Sequence, residues 1–315
     1  MEFSEYYVAY FDVLGYKDAF KKSEEVSAKL VESIERSIGL MKQIVSIVNA
    51  PSDESIVEKS EIEYKIFSDN ILICCKENKN IISEYFLESF LRLVAIIQRV
   101  FFTDFQLVVR GGITKGPLYL TNDFVGGKAL IDAVELEESA VYPRIIVDSC
   151  IWSELKSKIQ SRVLKNIVDA FCQDLLVKYA DDKFFLNYIV AYDPWICFPK
   201  DVSQPEKIES FEEILKAYVE GHLCKPVYNP KCLKEVFVIL QKHKDFVEEK
   251  INEFSQSSYD ENEEAKRLKI LKKYLWLVSF HNKICDHVLY KMPQLKISLK
   301  SEFNEQTLAF DVSVG

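Results

Sequence analysis

The sequence predicts an α+β protein, one sheet covered by helices over residues 1–198, with a mostly helical extension over residues 199–315. Three observations lead there. Short apolar runs bounded by turn residues alternate with helix-periodic stretches in the order β, α, ββ, α, β, α, β. Hydrophobic residues make up 48% of the chain, ample for a buried core. Strand-like runs largely vanish after Pro199.

Residues 6 to 13, "YYVAYFDV", read as a buried strand with Asp12 at its end, just before Leu14-Gly15. The segment after Gly15 turns helical: Val26, Leu30, Ile34, Ile38, Met41, Val45 and Val48 recur at helix spacing until Pro51. "PSDESIVEKSE" is a polar loop, and "IEYKIFSDNILICC" is two strands turning at Ser68-Asp69-Asn70. Phe86, Phe90, Leu93, Ile97 and Phe101 mark a helix. "FQLVVRGGITKGPLYL" reads as a strand that bends at paired glycines and returns. Gly126-Gly127 precede a helix with Leu130, Ala133, Val134 and Glu137 on one face. "RIIVD" is a short strand, residues 151 to 172 are helical, and "LLVKYADDKFFLNYIVAY" is a last hairpin turning at Asp181-Asp182. In the extension, helices are expected near 208–253 and 262–291 around the polar break "SQSSYDENEEAK", and the last stretch forms an edge strand or a tail.

A net charge of −9 argues against a dedicated duplex-binding protein, since phosphate neutralisation needs a basic face. A few lysines can still hold a small polyanion. The N-terminal stretch lacks a basic segment followed by a long apolar one, and no apolar run approaches the length of a membrane span, so a cytoplasmic, membrane-free protein is expected. The eight cysteines show no CxxC spacing and read as reduced, buried small hydrophobes, with Cys74 and Cys75 on opposite faces of a strand. His222, His243, His281 and His287 show no metal-ligand spacing.

Asp12, at the end of the first strand, and Asp69, at the tip of the hairpin, stand out by position. With the first strand central and the hairpin beside it, both acids open on one edge, where paired carboxylates suit Mg²⁺ or Mn²⁺ with substrate phosphate oxygens. Each acid also has a local reading: Asp12 as a cap of the following helix, Asp69 as ordinary turn chemistry. Tyr64 and Lys65 are neighbours on a strand, so only one faces any site there, and alternation alone does not say which.

The ordered set "YFDVLGYKDAF", "YKIFSDNILI", "VVRGGITKGPLY", "GGKALIDAVELEESA", "RIIVD" and "DDKFFLNYI" resembles the catalytic domain of the nucleotidyl cyclases that include adenylate and guanylate cyclases. It is most similar to the pyrimidine cyclases of bacterial Pycsar antiphage defence, which make cyclic CMP or cyclic UMP. The resemblance spans residues 5 to 192 and implies a ferredoxin-like palm sandwich. It matches Asp12 and Asp69 to the two metal-binding aspartates, and Val13 to the position whose carbonyl also meets a metal. The main-chain amides of Val13, Leu14 and Gly15 would lie beside the β- and γ-phosphates. Lys65 matches a base-reading lysine and Lys178 falls near a triphosphate-binding lysine, although a surface lysine is the favoured reading of Lys178. The implied partners are a pyrimidine nucleoside triphosphate, two divalent cations, a second copy of the chain completing the site, and a separate effector that reads the product.

The departures are equally specific. Ile131 and Glu135 stand where family purine cyclases carry asparagine and arginine, and Phe124 replaces the acid that reads adenine. Another cation must then neutralise the transferred phosphoryl group. Arg110, Lys115, Lys128 and Lys178 are the candidates; Arg110, before Gly111-Gly112, either serves there or pairs with Glu135 or Glu137. Glu135 and Glu137 are read as a solvated helix face, as orienting a basic residue or as contacting a base or ribose, with the orienting role favoured, and Tyr64 as filling space a purine would need. A catalytically inactive, cyclase-shaped binding module is the alternative, and a polymerase-like or dinucleotide-cyclase palm is less favoured because a GGDEF signature is absent.

Overall fold

Ser4–Val13 (β1) is the strand around which everything else is arranged. In the computed structural model, which describes residues 2–49, 62–77, 84–159, 175–178, 181–190, 195–199, 223–228, 230–255, 261–286 and 292–299, β1 pairs antiparallel with two neighbours. One is β3 (Asn70–Lys76), joined to β2 (Ile62–Phe67) through Ser68 and Asp69; Ser68 takes the positive φ, 62°, that a tight hairpin asks of one of its turn residues. The other is β4 (Val109–Leu120), beyond which come β6 (Ile145–Val147), β8 (Phe184–Leu186) and β7 (Leu176–Lys178). The order is β2-β3-β1-β4-β6-β8-β7, with β5 (Val125–Gly126) paired to β4. Only β4 and β6 run parallel within this sheet, so the fold is α+β with a mixed central sheet.

Among the described residues the α-helices are α1 (Tyr16–Lys22), α2 (Glu24–Asn49), α3 (Glu84–Phe105), α4 (Lys128–Ser139), α5 (Ser149–Ile159), α6 (Pro230–Ser255) and α7 (Glu261–Cys285). The stretch expected as one helix after Gly15 is two. Ser23 is extended and its Oγ accepts from the Val26 amide at 3.3 Å, with Glu24 and Glu25 in the new first turn, so a serine cap restarts the helix. Ile34, Met41 and Val45 are buried while Val26 stays exposed. The segments 51–61 and 160–172, expected as loop and helix, lie outside the described residues.

Strand alternation splits the core into two faces. Tyr7, Ala9, Phe11, Ile71, Ile73, Cys75 and Ile113 pack with α2 and with Phe90, Leu93, Ile97 and Phe101 of α3. Tyr6, Val8, Leu72, Cys74 and Leu118 face α4 through Ala129 and Ala133. Cys74 and Cys75 therefore do point to opposite faces, while Cys150 is exposed, against the expectation that all cysteines are buried.

Two expectations are corrected. Residues 109–120 form one continuous strand with no bend or return at the glycines. Gly111 and Gly112 serve close approach instead: a Cβ on Gly111 would stand 2.6 Å from Tyr10 O, and one on Gly112 would stand 2.5 Å from Ala133 O and 2.4 Å from Leu136 Cβ. Of the helix expected from about 208, residues 208–222 lie outside the described residues, "LCKPVY" (β10, Leu223–Tyr228) is a strand paired with β9 (Trp195–Pro199), with a register shift near Pro226, which has no N–H to give, and α6 follows from Pro230.

The α6–α7 pair packs onto the sheet domain. Leu271, Leu275 and Val278 share one apolar cluster with Phe102, Val177, Phe185, Tyr188 and Ile189, so residues on both sides of position 198 bury each other. Arg144, 2% exposed, pairs with Asp181 and lies within 5.7 Å of the Tyr142, Phe185 and Trp276 ring centroids, tying the sheet to α7. His243 and His281 stack against each other beside this cluster, and His243 Nε2 meets the Tyr188 hydroxyl at 2.8 Å. His222 and His287, and residues 300–315, lie outside the described residues, and no helix among those described is long and apolar enough to cross a membrane.

Because Gly112 admits α4 by having no side chain, Gly112→Ala is expected to lower unfolding free energy by about 1–3 kcal/mol. Gly39→Ala, on a helix position with open space around it, should be neutral or stabilising. Chemical denaturation of both variants checks the contrast.

Candidate active site at the end of β1

Register, not proximity in sequence, assembles this site. Asp12 is paired across the ladder with Asn70 on one side and Arg110 on the other, so the three residues form one row across β3, β1 and β4 on the face covered by α4. The next row is Leu72, Tyr10 and Gly112, and the missing side chain of Gly112 lets α4 settle over β4. That settlement puts Glu137, buried on the inner face of α4, against Arg110.

Arg110 Nη2 lies 3.5 Å from Asp12 Oδ2 and is ion-paired more closely with Glu137 Oε1. The cluster holds two carboxylates and one guanidinium, all largely removed from solvent, and is one positive charge short of neutrality. Burial raises the Asp12 carboxyl above its ordinary range against the pull of Arg110. Burial and then the charge of Asp12 push Glu137 up to about 7. As a carboxylate oxygen, the buried Asp12 Oδ1 has no donor among the described residues; a protonated Glu137 supplies one. Cation binding next to Asp12 and proton retention by Glu137 are two ways of meeting the same charge deficit.

Asp69 sits in the adjoining turn. Its carbonyl accepts from the Val13 amide at 3.2 Å, and its charge is felt by both Asp12 and Tyr10. Asp12 is not the cap of α1: that position is Gly15, at φ 89°, and no side chain caps it. The amides expected to meet phosphates are partly committed, since Val13 N donates to Asp69 O and Leu14 N to Val108 O at 2.9 Å. Gly15 has nothing within 4 Å of a would-be Cβ, so the backbone there is open to a ligand.

Strand parity decides the pair that sequence alternation left open. Tyr64 packs into the α2–α3 core, with Lys42 Nζ 6.0 Å from its ring centroid, so it does not line this face. Lys65, paired with Leu72, lies on the site face, and its Nζ donates to Asn122 O at 2.8 Å. That carbonyl belongs to the turn carrying the exposed Phe124, so Lys65 and this turn meet through the backbone.

The other cations are elsewhere. Lys115 is on the opposite face, held by Glu77 at 2.7 Å and Glu154 at 2.8 Å. Lys128 is exposed and pairs with Asp132 in the first turn of α4. Lys178 pairs with Asp182 at 2.6 Å on β7, four strands from β1, on the order of 19 Å away within one chain. Ile131 is exposed and so is Glu135, on the outer side of α4. Among the described residues there is no cluster of three or more His, Cys, Asp or Glu side chains able to hold a metal; the acids here are Asp12, Asp69 and Glu137, with Arg110 between Asp12 and Glu137. Sequence reasoning missed the Tyr10 hydroxyl, which donates to Asn70 Oδ1 at 2.8 Å. A polar tip two residues before Asp12, on the same side of the strand, was the available signal.

No family model matches the chain, and no curated protein matches it. Among solved structures it is similar to the adenylyl cyclase CyaB from P. aeruginosa, at 12% identity and a TM-score of 0.38, over 50% of this chain and 82% of that one. At that level the likeness assigns no residue and no activity.

The pH dependence of stability follows from Glu137. Between the ordinary glutamate value of 4.5 and about 7 the folded chain keeps a proton that the unfolded chain has released, so stability falls as pH rises through that window. Denaturation from below to above this range should show a shallower decline for Glu137→Gln than for the parent protein.

Proposed function

We propose that this chain is a metal-dependent nucleotidyl cyclase that converts a pyrimidine nucleoside triphosphate, CTP or UTP, to its 3′,5′-cyclic monophosphate and pyrophosphate. The observation that carries the reading is the strand-end acid Asp12, with a buried carboxylate oxygen lacking any donor when Glu137 is ionised, beside the turn acid Asp69. Support comes also from the order of the sequence motifs and from the β1–β3–β4 register that places both acids at one end of the sheet.

Asp12, Asp69 and the Val13 carbonyl are the groups that would hold Mg²⁺ or Mn²⁺; these hard oxygen donors fit such ions only with substrate phosphate oxygens completing the shell. When bound, the cations acidify the ribose 3′-hydroxyl and neutralise phosphate charge. The 3′-oxygen forms its bond to the α-phosphorus as the bond to the bridging α,β-oxygen breaks. Pyrophosphate leaves with that electron pair and the hydroxyl proton passes to solvent. Arg110, oriented by Glu137, is the cation placed to face the transferred phosphoryl group. Gly15 opens the backbone to the phosphates. Lys65, on the face that carries Asp12, would read the base, across the dimer as the resemblance implies, while Tyr64 packs in the core. Lys178, remote within one chain, joins the site only across a homodimer, as the resemblance implies; Lys128 stays on the outer end of α4.

The resemblance also motivates a cytoplasmic role in Pycsar-type antiphage defence, with the cyclic nucleotide read by a separate effector. An inactive binding module is the second reading, favoured by the outward Ile131 and Glu135 and by Arg110 already sharing its charge with two acids.

Purified protein incubated with each of the four ribonucleoside triphosphates and Mn²⁺ should yield a cyclic pyrimidine product by mass spectrometry. Asp12→Asn and Asp69→Asn should abolish it, and Arg110→Ala should lower turnover by about 10²-fold. Turnover of no triphosphate would select the binding module. Mixing Asp69→Asn with Lys178→Ala should restore product, because one composite site of the mixed dimer keeps both groups; no rescue would separate Lys178 from the site.

A further inference from the structure

The Tyr10 hydroxyl does something a phenylalanine could not. Tyr10 lies on the site face of β1, half-buried, two residues before Asp12. Its Oη donates to Asn70 Oδ1 at 2.8 Å. With its oxygen so engaged, the Asn70 amide is turned, and its Nδ2 is directed at Asp69 Oδ1, 3.4 Å away, and at Phe67 O, also at 3.4 Å. Asn70 is in turn the direct cross-strand partner of Asp12. A chain of two hydrogen bonds thus runs from the middle of the site face to one oxygen of the turn carboxylate.

We propose that Tyr10 and Asn70 are positioning residues for Asp69. Tyr10 locks the Asn70 amide, and Asn70 engages one oxygen of Asp69, leaving the other to a divalent cation shared with Asp12. The need for such a device is local. Asp69 occupies a two-residue turn, and no hydrogen bond to its side chain among the described residues other than Asn70's is seen to fix its rotamer. The charge of Asp69 reaches Asp12, and a carboxylate free to rotate would hold no fixed place beside it. This inference rests on the metal-dependent reading above and adds which residues set the affinity of its second acid.

The test is thermal unfolding at a fixed concentration of α,β-methylene UTP or CTP while Mn²⁺ is titrated; the midpoint of stabilisation reports Mn²⁺ affinity without turnover. Tyr10→Phe, which removes one oxygen atom, should shift that midpoint upward by about 10-fold while leaving the metal-free unfolding temperature unchanged. Asn70→Ser should shift it similarly, and the double variant should be no worse than Asn70→Ser alone. In the Asp69→Asn background, Tyr10→Phe should have no further effect. A Tyr10→Phe midpoint equal to the parent's, or an equal shift persisting without Asp69, overturns the relay while the metal site stands. Absence of any Mn²⁺-dependent stabilisation in the parent protein, or an Asp69→Asn midpoint unchanged from it, overturns the metal reading and the relay together.

Discussion

The close seating of α4 on β4, possible only because Gly112 has no side chain, is the constraint on which the candidate site depends. With Ala133 O and Leu136 Cβ occupying the volume of an alanine Cβ, the helix axis comes nearer to the sheet than any other residue at this position would allow. Glu137, one residue beyond Leu136, is carried down to Arg110 as a result. Arg110 is then held between α4 and Asp12 rather than left to solvent. A packing requirement between small groups becomes an electrostatic arrangement between large ones.

That arrangement is unbalanced by design of its geometry. Two acids and one guanidinium share a partly desolvated space, so either a proton stays with Glu137 and Asp12 or another cation joins them. Such a deficit is costly in a merely structural ion-pair network, because an uncompensated buried carboxylate is destabilising. On the metal-dependent reading proposed above, the same deficit would give an arriving cation its place. Arg110 can shift its weight from Asp12 to Glu137 without leaving its place, since it already touches both.

The C-terminal helices belong to the energetics of the sheet as much as to any separate role. Phe102 at the end of α3 and Phe185 on β8 are buried against α6 and α7, and the buried Arg144 is sandwiched among rings from both parts while pairing with Asp181. Removing α6 and α7 would expose the β7–β8 edge and leave a buried guanidinium half-solvated. The stacked His243–His281 pair, low in proton affinity because it is buried, reinforces the apolar character of that seam.

Much of the fold was legible in the chain because its signals are local. Helical periodicity in α3, the Ser68-Asp69 turn, the Asp181-Asp182 turn and the opposite facing of Cys74 and Cys75 all follow from spacing within a dozen residues. The serine restart at Ser23 and the β9–β10 pairing were not read, the first because a cap inside a periodic run leaves the period nearly intact, the second because its partners are remote in sequence. By itself the sequence determined that an acid ends the central strand and another caps the hairpin beside it. Only the tertiary structure decided that Lys65 and not Tyr64 faces them, that Arg110 and not Lys115 attends Asp12, and that Tyr10 reaches Asn70. Those choices turn on strand register and on how closely α4 can approach, and both are settled by packing between segments up to about a hundred residues apart.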